Sequence, residues 1–129
     1  KAAGKDVTLF FTFWGLNILR KPQSRVKKGI IDKMFGLMMP KGTEKLTLSK
    51  MNMLGAGSLM MKWVMKQKNV STLNELLTQA REAGIKFIAC NMSMDVMGIK
   101  PEELIDGVEI GGVAKYIEES SYSNSNLFI

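Results

Sequence analysis

The chain has 129 residues, 46% apolar and 23% charged, enough for one domain with a real core. It holds no histidine and a single cysteine, Cys90. Ser-His-Asp and Cys-His catalysis, imidazole-ligated metals and haem, a standard zinc site and an intramolecular disulfide are therefore excluded.

No apolar run approaches the roughly 18 residues of a membrane span, and the opening KAAGKD has no signal-peptide pattern. A reducing, cytoplasmic setting is expected. The net charge of +6 is unevenly spread. Residues 1–68 carry 14 Lys/Arg against Asp6, Asp32 and Glu44, whereas residues 69–129 carry four against nine acids. Such polarity steers an anionic partner or reflects segregated solvated faces. The basic stretch lacks the interleaved aromatics of a nucleic-acid stacking platform, so no nucleic acid is expected.

Residues 7–13, VTLFFTF, are β-branched and aromatic and predict a buried parallel strand. Trp14-Gly15 ends it, and Leu16 to Arg20 read as a helical turn stopped by Pro22. Val26, Ile30, Ile31, Met34, Phe35 and Met38 recur at helical spacing over 25–38. Residues 39–55 predict a long irregular connection. A helix follows over 57–68, too apolar to face water all round, so a covering loop or a second subunit is expected.

Thr72 and Glu75 form a capping box for a helix over 73–83, with Leu73, Leu76, Leu77 and Ala80 inward and Gly84 as its stop. IKFIAC at 85–90 predicts a second buried strand. After a short turn, Ser93 caps a helix through Met97 that Gly98 ends. Pro101 opens a short helix, PEELI. VEI at 108–110 reads as a third strand, residues 112–119 as a helix, and LFI as a short terminal strand. Strands alternating with helices indicate an α/β domain with a mostly parallel sheet flanked by helices.

Sites in such sheets gather at the carboxyl ends of strands, where Cys90 lies. A lone cysteine is commonly an inert apolar residue. Here the amides and dipole of a following helix favour a thiolate, and Asp95 opposes it. The 11 methionines, all between Met34 and Met97, suit either adaptable core filling or a repackable partner surface. They show no repeated spacing for copper(I). GAGS at 55–58 lacks the Lys-Ser/Thr ending of a phosphate loop and does not follow a strand, so nucleotide binding is rejected. No cofactor or metal is expected.

Three segments, FFTFWGLNILRK at 10–21, LSKMNMLGAGSLMMKWVMK at 48–66 and IKFIACNMSMDVMGIKPEELIDGVEIGGVAKYIEES at 85–120, resemble the DsrE/DsrF-like sulfur-relay family. The branch is the one labelled peroxiredoxin-like or sulfurtransferase; the peroxiredoxin label finds no resolving cysteine in this chain. The resemblance implies a parallel α/β sheet, a homo-oligomer, and a cysteine that carries sulfane sulfur as a persulfide. Only Cys90 matches that position. Family members begin with a further strand and helix, so this sequence reads as starting after that unit.

The expected function is a sulfur carrier or sulfurtransferase exchanging sulfur with donor and acceptor proteins through Cys90. Trp14 and Gly15 would wall the site, and Asn91, Met92 and Ser93 would support it. The alternatives are a non-catalytic interaction module and a thiol redox sensor.

Overall fold

The computed structural model describes residues 1–22, 26, 29, 30, 34, 39–43 and 56–127. Among these residues the sheet has three strands in the order β1-β2-β3: β1 (Thr8–Phe11), β2 (Lys86–Cys90) and β3 (Val108–Gly111), all parallel. The helices described from end to end are α1 (Ala56–Gln67), α2 (Leu73–Glu82), α3 (Asn91–Val96) and α4 (Val113–Ser121). Among the described residues, 3-10 helices run over Phe13–Leu19 after β1 and Pro101–Glu103 before β3. This is the small α/β domain that the alternation of strand and helix patterns predicts.

The register pairs Phe11 with Ala89 and Cys90 with Gly111, and alternation along each strand sorts the side chains into two faces. One face carries Phe11, Phe87, Ala89 and Val108 into the core, where Leu16, Leu19, Met94, Met97, Ile99 and Leu104 meet them. The other carries Thr8, Phe10, Lys86, Ile88, Cys90 and Gly111, and α4 covers it. Tyr116 of α4 meets Phe10 with ring centroids 5.4 Å apart, and Glu119 accepts hydrogen bonds from Thr8 Oγ1 at 3.0 Å and Lys86 Nζ at 2.8 Å.

Several expectations need correction. The first strand stops at Phe11, because Phe13 takes a left-handed backbone (φ 38°) and turns the chain into the 3-10 helix. Its burial is partial, since β1 is an edge strand and Leu9 stays exposed. The capping box at Thr72 and Glu75 forms with both hydrogen bonds, and Gly84 (φ 69°) follows the helix. Only Leu77 and Ala80 of α2 pack against the core, however; Leu73 and Leu76 are exposed. Helix α1 forms where its pattern predicts, with Leu59, Met60, Met61 and Trp63 exposed on the single chain. Leu127 joins no strand. Most of the helix predicted over 25–38, residues 44–55 of the irregular connection, and the end of LFI lie outside the described residues.

Candidate functional site

Cys90 ends the central strand and is at once the N-cap of α3, which begins at Asn91 with no intervening turn. The expected cap, Ser93, instead sits inside the helix and is buried. The physical reason is the continuity of chain direction: β2 feeds α3 through one residue with φ −70° and ψ 115°. The thiol makes no capping hydrogen bond to the helix amides. Gly98 (φ 59°) then closes the helix end, as its sequence position predicts.

Cys90 is buried at 5% exposure and, like fully buried Ile88, sits on the sheet face opposite the main core cluster. Buried Phe87, Ile88 and Ala89 precede it, and exposed Asn91 and Met92 follow it. It lies on the face under α4. Its strand partner Gly111 is a space requirement. A Cβ there would stand 3.0 Å from Lys115 Cβ and Cγ and 3.1 Å from Ile88 Cγ2. At Gly112 a Cβ would stand 3.1 Å from Asn91 Oδ1. The two glycines let the first turn of α4 and the Asn91 side chain close in beside Cys90.

Trp14 and Gly15 lie in the 3-10 helix at the adjoining strand end, and this helix packs against both β2 and α3. The Trp14 ring is exposed, whereas the Gly15 backbone tucks near Phe11. The structure thus gathers Trp14, Gly15, Asn91, Met92 and Ser93 at the carboxyl end of β1 and β2. Ser93 points inward rather than towards solvent, being only 2% exposed.

A buried network behind this edge escaped the sequence reading. Arg20 Nη2 donates to Glu103 Oε2 at 2.9 Å, with both side chains out of solvent. Arg20 Nη1 donates to Asn17 Oδ1 at 3.2 Å, and Asn17 Nδ2 donates to the Trp14 carbonyl at 3.2 Å. On the far side the Lys100 amide donates to Glu103 Oε1 at 3.0 Å. Backbone bonds from Lys21 to Glu103 O (2.7 Å) and from Ile105 to Leu19 O (2.8 Å) tie the same two segments. The available signal was spacing. In a 3-10 turn residues three apart share a side, which pairs Leu16 with Leu19 and Asn17 with Arg20.

Beneath α4, Lys86 and Thr8 hydrogen-bond to the Glu119 carboxylate, and Lys115 adds a third contact at 3.3 Å. Those bonds hold the Glu119 pKa down to about 2, while Glu119 raises that of Lys86 in turn. Among the described residues no group of three or more His, Cys, Asp or Glu side chains is arranged to hold a metal ion. Nor is any described helix long and apolar enough to cross a membrane.

The structure is thus a parallel α/β sheet with the chain's one cysteine buried at the carboxyl end of the central strand. The chain belongs to the DsrE/DsrF/DrsH-like family, whose model matches residues 1–128. It is 50% identical over 125 residues to the uncharacterized protein YrkE of Bacillus subtilis, covering 96% of this chain and 78% of that protein. It is 37% identical over 132 residues to the sulfur carrier protein DsrE2 of Allochromatium vinosum, covering 99% of this chain and 82% of that one.

Proposed function

We propose that this protein is a sulfur carrier that holds sulfane sulfur on Cys90. The Cys90 thiolate attacks the outer sulfur of a donor persulfide, R–S–SH, giving Cys90–S–SH and releasing R–S⁻. An acceptor thiolate then attacks the outer sulfur of Cys90–S–SH and restores the Cys90 thiolate. The exchange is redox-neutral, and each step breaks one S–S bond as it forms another. It needs no histidine base once the thiolate is populated.

The observation that carries this reading is the position of Cys90, buried at 5% exposure, at the end of the central strand and directly before exposed Asn91 and Met92. That position fits a thiol sheltered from casual oxidants and reachable by a docked sulfur. The family and the relationship to a sulfur carrier support the same reading. Trp14 and Gly15 serve as wall, Asn91 and Met92 as rim, and Ser93 as internal support. The exposed apolar residues of α1 favour a homo-oligomer in which a second copy covers them.

The test is mass spectrometry after incubation with inorganic polysulfide. The expected result is a gain of one sulfur on Cys90, removable by a small thiol and absent in Cys90→Ser, which folds normally. Absence of the gain in the wild-type protein, or sulfur transfer by Cys90→Ser, overturns the proposal. Sulfenic acid formation with peroxide, without sulfur loading, would point to a redox sensor instead.

A further inference from the structure

We propose that the exposed apolar side chains around Cys90 form a docking surface for a partner polypeptide whose sulfur-bearing cysteine is flanked by apolar residues. This rests on the carrier reading above and concerns which donors and acceptors that site takes.

Sulfur exchange requires the second sulfur to reach bonding contact with one on Cys90, and Cys90 is 5% exposed. Whatever delivers it must pass over the carboxyl edge of the sheet. Three segments make that edge. Phe13 and Trp14 follow β1, Met92 and Val96 stand four residues apart on one side of α3, and Val113 opens α4 just after Gly111, the partner of Cys90. All five are between 58% and 70% exposed. Large apolar groups scattered singly over a surface mean little; five gathered at one edge around a reactive residue mark a contact surface.

Phe13 adds an independent observation. Its backbone is left-handed at φ 38°, a conformation that bulky L-residues avoid, and its ring is left in solvent. Backbone strain of this kind clusters at active sites and ligand clamps. The chemistry of the partner follows from charge. Across Phe13–Leu19, Asn91–Val96 and Gly111–Val113 the sole charged residue is Asp95. The Lys115 ammonium nearby is engaged by Glu118 and Glu119. Recognition at this edge is therefore apolar, and salt should affect it little.

The experiment compares three sulfur donors, with loading of Cys90 followed by mass spectrometry. They are inorganic polysulfide, a synthetic peptide persulfide with Leu and Phe flanking its cysteine, and a matched peptide persulfide flanked by Lys and Glu. The wild-type protein should load about tenfold faster or more from the apolar peptide than from the charged one, a preference that persists as salt is raised. Val96→Ser/Val113→Ser, two exposed positions, should lose the preference while loading from polysulfide is unchanged. Phe13→Asn, which suits a left-handed backbone, should do the same. Equal loading from the two peptides, or an undiminished preference in both variants, overturns the docking surface and leaves the carrier reading intact. Failure of polysulfide to load Cys90 overturns the carrier reading, and the docking surface falls with it.

Discussion

Replacing Glu103 by Gln removes one charge from a pair that is almost without solvent and changes little else in shape. The Arg20 and Glu103 side chains are 0% and 1% exposed, with nitrogen and oxygen 2.9 Å apart. At an effective dielectric near 20 the direct attraction across that distance is about 6 kcal/mol. Much of it offsets the desolvation of the two ions, so the intact pair contributes far less than this. The variant keeps the desolvation of the guanidinium and loses its counter-charge. Arg20 Nε already lacks a hydrogen-bond partner among the described residues, so the remaining neutral acceptor Asn17 Oδ1 cannot compensate.

A loss of about 3–5 kcal/mol is expected, a large share of the roughly 5–15 kcal/mol typical of a domain. For a chain of this length it corresponds to about 10–20 °C in Tm. Urea unfolding followed by circular dichroism measures it. The double variant Arg20→Met/Glu103→Leu, which removes both charges and keeps the volume, should recover most of the loss. A Glu103→Gln protein within about 1 kcal/mol of wild type would refute the reasoning, because the guanidinium would then have to be hydrated or paired elsewhere.

Glu119 predicts an acid limb. Its folded pKa of about 2 lies below the ordinary 4.5, so the stability it contributes is present above pH 4.5 and lost as pH falls towards 2. Unfolding of wild type against Glu119→Gln across that window should show the two curves converging at low pH; parallel curves would contradict the assigned bonds. Gly111→Ala should cost about 1–3 kcal/mol, since its Cβ meets Lys115 Cβ and Ile88 Cγ2, neither of which is a free chain end. Gly112→Ala should be milder, because the group it meets, the Asn91 carboxamide, is the end of an exposed side chain; thermal melts of the two variants give the order. Thr72→Ala removes the hydroxyl that accepts the Glu75 amide and should cost about 1 kcal/mol by chemical denaturation.

What the sequence made legible was what local chemistry determines. IKFIAC is apolar enough to be only a buried strand, and the capping residues at Thr72 and Gly84 set α2. The location of Cys90 followed, because a strand end in a parallel sheet is fixed once the strand is. Non-local features were not legible. Leu73 and Leu76 have the same spacing as their buried neighbours, and exposure depends on which elements lie opposite them. Ser93 resembles a cap by type, but the strand feeds the helix earlier and turns it inward. Arg20 and Glu103, 83 residues apart, read as ordinary surface charges until the two 3-10 helices meet.

That buried pair also bears on how the site keeps its shape. A left-handed phenylalanine stores of order 1–3 kcal/mol and survives only if its surroundings over-determine it. Upstream, β1 is hydrogen-bonded to β2 through Phe11 and Ala89. Downstream, the carbonyl of the very next residue, Trp14, is held by Asn17, which is held by Arg20, which is held by Glu103. The chain at Phe13 is thus fixed from both sides and cannot relax by unwinding the 3-10 helix. Relaxation would have to break a strand pairing or leave the buried guanidinium without its counter-charge, and each outweighs the strain. The charge pair that contributes little net stability as a unit is therefore well placed to hold Phe13 and Trp14 at the edge beside Cys90, a role that a loosely packed apolar contact would fill with less directional constraint.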